Sequence, residues 1–411
     1  MTTFEAPRGT HDILPSEQPL WRLVTSEAER LCSLYGYRPI QTPAIEDTAL
    51  FLRTSGEGSD IVHKEMYTFE DRGGRSLTLR PEGTAPIARA YLEHGLHREA
   101  QPVKLYTIAT MYRYAAPQRG RYREHWQLSV EAIGSSDPAI DAELIQLYDD
   151  LLARLGVTKY RLLLNSIGDE NCRPQYVERL TAWLDAHEHL LDDDARQKRA
   201  TNPLRVFDVK SERVQEALAD APKIGDALCA ECRAHFEAVC GHLENYGVAF
   251  ELTPTLVRGI DYYTRTAFEF VDEAIGAQSS ICGGGRYDGL IQELGGQPTP
   301  GIGFGAGIER LLLSLDAEGV APEPQELDVF VALAEGDLKP RVLPLVQGLR
   351  REGLSAEVDY AGRSLKGQLT HARRLGAKAI VEFGVERSTL RRPGEPDEEI
   401  PTAQLAERLK A

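Results

Sequence analysis

Along the first 160 residues, apolar positions switch between two periods. LWRLV and LCSLY within 16–35 repeat every three or four positions, which predicts a helix with Ser16 as its cap. SLTLRPEGT (76–84), KLYTIATMYR (104–113) and HWQLSVEAIG (125–134) read as strands. DAELIQLYDDLLARLG (141–156) returns to the helical period. From about 170 to 247 the chain is charged and largely helical, with acidic blocks such as LDDDAR, and reads as an inserted helical subdomain. Strand-like, glycine-rich chain resumes over 248–310, and GIERLLLSL (307–315) reads as a helix. EGVAPEPQE (318–326) carries prolines and acids but few apolar residues, so residues 321–326 are expected to be a linker. Beyond it, DVFVALA, SAEVDY and KAIVEF read as strands separated by helical stretches at about 338–351 and 364–375. That alternation predicts a small α/β domain with parallel strands over 327–411.

The length of 411 residues suggests two to three domains. A composition of 42% hydrophobic and 27% charged residues excludes a collagen-like or wholly disordered chain. No apolar run approaches the roughly 18 residues of a membrane span. The start, MTTFEAPRGTHDILPSEQ, lacks a basic segment followed by an apolar one, so a cytoplasmic protein is expected. A net charge of −16 argues against a general DNA-coating protein and leaves room only for a local basic patch. The six cysteines are scattered, which fits reduced thiols.

Side chains alternate faces along a strand, so HWQLSVEAIG sets Trp126, Leu128 and Val130 against Gln127, Ser129 and Glu131. The second set is either a solvated face or the floor of a polar pocket. MYRYAAPQRGRYREHW (111–126) carries Arg113, Arg119, Arg121 and Arg123 against one acid, Glu124. Such a hairpin can grip phosphates through guanidinium forks, or be a solvated tip. LVRGIDYYTRTAFEF (256–270) gathers Arg258, Asp261, Tyr262 and Tyr263, either as a hydrogen-bonding cavity or as a packed aromatic corner. ICGGGRYDGL (281–290) and GIGFGAGIERLLL (301–313) read as glycine-rich turns; neither matches a phosphate loop or a dinucleotide fingerprint. Cys229-Ala-Glu-Cys232, near His235 and Cys240, lacks a second Cys-x-x-Cys, so no metal site and no structural zinc are expected.

Taken in order, these segments strongly resemble the histidyl-tRNA synthetases, a family of class II aminoacyl-tRNA synthetases, over nearly the whole chain. GYRPIQTPAIEDTALF (36–51) resembles motif 1, LYTIATMYR through EAIG motif 2, and GIGFGAGIERLLL motif 3. RGIDYYTRTAFE, GGGRYDGL and LRPEGTAPIAR (79–89) resemble signatures of the histidine enzymes. The resemblance implies an α+β fold: a class II catalytic domain over 1–320, built on an antiparallel sheet of six or seven strands with a helical insertion. It also implies a C-terminal anticodon-binding α/β domain and a homodimer formed through motif 1. The implied partners are histidine, ATP with Mg²⁺ on its phosphates, and tRNA(His), with no membrane and no DNA.

By the same resemblance, Arg258 and Arg113 contact the α-phosphate, with Arg258 the main electrophile. Arg121 and Arg310 hold the outer phosphates, completing an ATP set of Arg113, Arg121 and Arg310. Glu82, Thr84 and Gln127 hold the histidine α-amino group. Glu131 and Tyr263 read the imidazole, and Tyr262 and Tyr287 line its pocket. Gln118 meets the tRNA acceptor end. The family usually has a glutamate and then an arginine where this chain has Ala115 and Ala116, so the glutamate that reads the adenine amino group is absent. Within 361–380, Arg363, Lys366, Arg373, Arg374 and Lys378 occur with no acid, which suits an anticodon-side patch or a solvated helix face. The alternative is a non-catalytic histidine-sensing relative, of the kind that regulates ATP phosphoribosyltransferase. The intact RGIDYYTRTAFE and the extra α/β domain oppose it.

Overall fold

The computed structural model describes residues 4–55, 61–259, 262–321, 326–334 and 338–410. Most of the expected linker (322–325) and Asp261 lie outside the described residues. The chain divides into two compact units, Met1–Pro322 and Glu323–Ala411.

In the first unit the strands are β1 Arg38–Pro39, β2 Ile45–Asp47, β3 Tyr67–Glu70, β4 Ser76–Leu79, β5 Val103–Tyr112, β6 Glu124–Ile133, β7 Arg161–Ser166, β8 Glu251–Leu252, β9 Thr264–Val271, β10 Ser280–Arg286 and β11 Gly301–Gly307. The helices are α1 Gln18–Leu34, α2 Thr48–Ser55, α3 Thr84–Glu93, α4 Pro138–Leu155, α5 Arg173–Ala186, α6 Asp193–Thr201, α7 Glu212–Ala217, α8 Ala230–Tyr246, α9 Leu290–Glu293 and α10 Ile308–Glu318. Eight strands form one sheet in the order β1-β5-β6-β11-β10-β9-β7-β8. Its inner pairings are antiparallel, and the short edge strands β1 and β8 pair parallel. A small sheet, β2-β4-β3, stands apart from it.

The large sheet has an apolar face and a working face. Leu128, Val130, Phe268, Phe270, Ile302 and Phe304 are buried on the first, under α1, α4, α8 and α10. Helix α1 contributes Trp21, Val24, Ala28, Leu31 and Cys32, a stripe at helical spacing. Its Trp21 ring meets Trp126 edge-on at 6.1 Å. Ser16 does not cap this helix: Glu17 holds the N-cap position, and its carboxylate accepts the Leu14 N–H at 2.8 Å. The strand reading of 76–84 also stops early. Strand β4 ends at Leu79; Pro81 has no N–H for a ladder, and the Glu82 carboxylate takes the N–H groups of Thr84 and Ala85, which start α3.

In the second unit the strands are β12 Val329–Leu333, β13 Ala356–Val358, β14 Ala379–Phe383, β15 Arg387–Arg391 and β16 Glu398–Pro401, with helices α11 Lys339–Arg351, α12 Leu365–Arg374 and α13 Leu405–Lys410. The sheet order is β13-β12-β14-β15-β16. The three expected strands pair parallel, but β15 and β16 add an antiparallel hairpin, so the sheet is mixed. The hairpin sequence RSTLRRPGEPDEEIP is polar and short, which hid it from a hydrophobic pattern.

Candidate active site

The glycine-rich segments are strands at the centre of the sheet, which corrects their reading as turns. Register sets Gly303 opposite Glu131, Gly305 opposite Ser129, Gly307 opposite Gln127, and Gly283 opposite both Gly305 and Glu269. Cross-strand partners share a face, so these residues make one floor, bare of side chains in the middle and polar at its sides. The bareness is required. A Cβ on Gly303 would lie 1.7 Å from the Glu131 carboxylate, and one on Gly283 would lie 1.9 Å from the Arg258 guanidinium. A cleft of about 930 Å³ opens over this floor.

At one end of the floor, Glu131 is fully buried on β6. Thr84, at the start of α3, donates to its Oε1 at 2.7 Å, and Tyr287 donates to its Oε2 at 2.6 Å. Burial dominates these two bonds and pushes the carboxyl up to about 8. Glu82 is also buried and raised, though the backbone bonds to Thr84 and Ala85 oppose the shift. Tyr262, Tyr263 and Tyr287 pack edge to face, with Tyr262 4.9 Å from Tyr263 and 5.9 Å from Tyr287. Gln127 lines the cleft and donates to Ser129 at 2.9 Å.

At the other end, Arg113, Arg121, Arg258 and Arg310 all line the cleft. Arg113 donates to the Pro81 carbonyl at 2.7 Å, and Arg310 to the Gly120 and Ser280 carbonyls at 2.9 and 2.5 Å. Arg121 pairs with Glu65 and Arg258 with Glu269, at 2.5 and 2.7 Å. Burial, then Arg113 and Arg121, lowers Arg310 to about 10. Burial opposes the Arg258 cation, but Glu269, Tyr263 and Asp208 outweigh it and hold the group above its ordinary range. His125 is driven down to about 3 by burial and by Arg113, Arg310 and Arg121. It therefore stays neutral.

The structure thus brings Glu82, Thr84, Gln127, Tyr262, Tyr263, Arg113, Arg121, Arg258 and Arg310 to one cleft, with Glu131 and Tyr287 buried beneath it. Gln118 sits exposed at the hairpin tip, bridged to Arg121 through the backbone. Arg119 points to Asp316, and Arg123 stacks 3.8 Å over the Tyr114 ring, so neither lines the cleft. Ala115 lines it and is buried; Ala116 is exposed.

Sequence reasoning missed Glu65, His125, Glu269 and Glu309, which line the cleft, and Asp208, which supports the Arg258 cation. Glu269 lies between Phe268 and Phe270 on β9, so alternation alone places it on the face away from those two rings, a usable signal. Glu65 and Asp208 gave none. Arg286 of GGGRYDGL is not a cleft residue: it is fully buried and binds Asp141 at 2.9 Å and Asp288 at 2.8 Å.

The cysteine grouping also changes. Cys229 and Cys232 meet Cys172 and Asp169, not Cys240 or His235, which lies 3.6 Å from Asp141.

In the second unit, Lys366, Arg373 and Arg374 are exposed on α12, whereas Arg363 pairs with Asp359 and Lys378 with Asp328. No helix among the described residues is long and apolar enough to cross a membrane.

Comparison with known proteins agrees with this layout. The profile of the family described as Histidyl-tRNA synthetase matches residues 9–311. A histidine–tRNA ligase of Caldanaerobacter subterraneus subsp. tengcongensis is 48% identical, covering 93% of this chain and 92% of its own. The crystal structure of the apo S. aureus histidyl-tRNA synthetase superposes with a TM-score of 0.84 at 36% identity, covering 100% of both chains. A structure described as an ATP phosphoribosyltransferase regulatory subunit/histidyl-tRNA synthetase, from Bacillus halodurans C, is less similar. It has 26% identity and a TM-score of 0.64, covering 88% of this chain and 94% of its own.

Proposed function

This chain belongs to the histidyl-tRNA synthetase family and is a histidine–tRNA ligase, and on that premise we propose how its cleft divides the work. Histidine and ATP first form histidyl-adenylate and pyrophosphate. The histidyl group then passes to the 3′ end of tRNA(His), with release of AMP. Histidine lies at the glutamate end of the floor. Its imidazole N–H donates to Glu131, whose carboxyl is already oriented by Thr84 and Tyr287. Tyr263 and the rings of Tyr262 and Tyr287 close around it. Glu82, Thr84 and Gln127 take the α-amino group. A side chain that cannot share a proton with this buried carboxyl gains no bond there, which is the basis of selectivity.

ATP lies at the arginine end. The substrate carboxylate attacks the α-phosphorus, and the bond to pyrophosphate breaks. Arg113 and Arg258 bind the α-phosphate oxygens, where charge grows in the transition state. Arg258 is the main electrophile, held on its target by Glu269. Arg121 and Arg310 bind the outer phosphates. Mg²⁺ accompanies ATP and screens its phosphate charge. Among the described cleft carboxylates, Glu65 and Glu269 are engaged by arginines, Asp194 by Lys198, and Glu82 and Glu309 accept backbone N–H groups. That engagement supports a metal carried by the phosphates rather than by a protein cage.

Gln118 at the exposed hairpin tip meets the acceptor end, and the α12 face of Lys366, Arg373 and Arg374 meets the anticodon side. A homodimer through motif 1 is supported by Ile45 within it and by Leu52 just beyond it and Phe69 on β3, all large, apolar and exposed. A cytoplasmic location follows from the role in translation. Ala115, buried on the cleft wall, offers the adenine amino group no carboxylate.

One observation carries the assignment of ends: a buried, bilaterally hydrogen-bonded glutamate and four guanidiniums share one glycine floor. Histidine-dependent ATP–pyrophosphate exchange, with other amino acids as controls, is the test. Exchange with histidine alone supports it; exchange with any other amino acid, or histidine binding without exchange, refutes it.

A further inference from the structure

Asp169, Cys172, Cys229 and Cys232 come from two distant stretches of chain, yet their ligand atoms all lie within 4.8 Å of one another. Tetrahedral zinc with bonds of about 2.3 Å to sulfur needs ligand separations of about 3.8 Å. The Asp169 carboxylate already lies 3.6 Å from the Cys172 sulfur and 4.0 Å from the Cys229 sulfur. Cys172, Cys232 and Asp169 are buried.

The surroundings suit bound thiolates. The Asp169 N–H donates to the Cys172 sulfur, and the Cys232 N–H to the Cys229 sulfur, both at 3.4 Å. These are the outer bonds that orient metal-bound sulfur. Cys172 occupies the N-cap of α5 and Cys229 the N-cap of α8, so two helix N-termini face the cluster. Arg265 stands 3.3 Å from the far Asp169 oxygen and offsets the negative charge of the ligand set. The second half of the site is Asp169-x-x-Cys172, which a search for a second Cys-x-x-Cys passes over.

We infer that these four residues form a structural zinc site that closes the neck of the helical insertion. Three thiolates and one carboxylate are a soft, closed set with no position left for substrate. The thiol protons now shared with Asp169 leave to solvent when the metal binds. The placement gives the site its purpose. The chain leaves the sheet after Ser166 and returns at Glu251; Cys172 and Cys229 cap the first and last helices of that excursion, and between them Gln197, Lys198 and Arg205 line the catalytic cleft. Arg173, next to Cys172, donates to the Tyr263 carbonyl at 2.6 Å. Zinc would therefore hold the insertion in register with both ends of the floor.

The test uses the untagged full chain, purified and assayed under reducing conditions. Metal analysis should find about one zinc per chain, released by a mercurial thiol reagent. The C229S/C232S variant should bind none. Because that variant can fail to fold, cobalt is also loaded into the demetallated wild-type chain, where thiolate-to-cobalt charge-transfer bands are expected. D169C should keep the metal and strengthen those bands. Three outcomes overturn the site: no zinc retained after incubation with excess zinc and gel filtration, zinc content unchanged in C229S/C232S, or a disulfide among Cys172, Cys229 and Cys232 in place of metal.

Discussion

The Glu131 carboxylate occupies the space that a side chain at Gly303 would need, with only 1.7 Å between its Oε2 and an ideal Cβ there. Gly303 cannot take a side chain while Glu131 keeps its place. Gly303→Ala should push Glu131 off its Thr84 and Tyr287 bonds and raise KM for histidine at least ~100-fold, a cost of about 3 kcal/mol. Gly283→Ala faces Arg258 instead and should lower kcat while leaving histidine binding nearly intact. Steady-state exchange kinetics on both variants separate the two ends of the floor; an equal effect on both parameters in both variants would remove that division.

Arg258→Ala should slow adenylate formation by ~10²–10³-fold or more, the usual loss for one transition-state donor. Arg258→Lys should restore little, since a lysine lacks the fork. Glu269→Gln should cost ~10-fold by loosening Arg258 rather than by touching ATP. Single-turnover measurements check this, and wild-type rates in the Arg258→Ala variant would take that residue out of the reaction.

Histidine affinity should depend on pH through Glu131. Free imidazole protonates below about 6.5, and the empty-site carboxyl loses its proton above about 8. The bound pair needs one proton between the two groups, so affinity is flat between those values and falls on either side. Glu131→Gln should lose the fall that begins near pH 8 and keep the acid one. Calorimetry across this range is decisive; identical profiles would mean that Glu131 does not face the imidazole.

The same carboxyl links pH to stability. Its folded value is raised above the ordinary 4.5 to about 8, so the folded chain keeps a proton that the unfolded chain has lost in that window. Stability from this group therefore falls as pH rises, by on the order of 3 kcal/mol between about pH 5 and 7.5. Glu131→Gln should flatten the slope in denaturant titrations. An unchanged slope would show that water enters the pocket.

Lys366→Ala, Arg373→Ala and Arg374→Ala together should raise KM for tRNA and reduce the salt dependence of binding, while leaving ATP–pyrophosphate exchange unaltered. Unchanged charging kinetics would return α12 to the role of a solvated face.

What the sequence disclosed follows from the range of each interaction. Alternation on β6 is local, so Gln127 and Glu131 could be set on one face before any fold was known. The glycines of β10 and β11 could not be read the same way. The absence of a side chain at Gly283 and at Gly303 is explained by Arg258 and Glu131 reaching in from elsewhere in the chain, and at Gly305 by Gln127. Nothing near Glu65 or Asp208 in sequence hinted at a role beside the cleft arginines Arg121 and Arg258, which lie far along the chain. The polar hairpin β15–β16 was missed because pairing with β14, not its own hydrophobicity, makes it a strand.

The four cleft arginines carry one last implication. Burial and mutual repulsion already lower Arg310 and Arg113, and the same field keeps His125 neutral. This end of the domain is a cage of like charges, offset among the described residues by backbone carbonyls and by Glu65, Glu269 and Asp208. Any anion of matching reach relieves it, so on the proposed placing of ATP, pyrophosphate, the first product, should compete with the next ATP for the same welcome. On the proposed placing of ATP at this end, the relief that binds the substrate also retains the product, so added inorganic pyrophosphate should slow turnover.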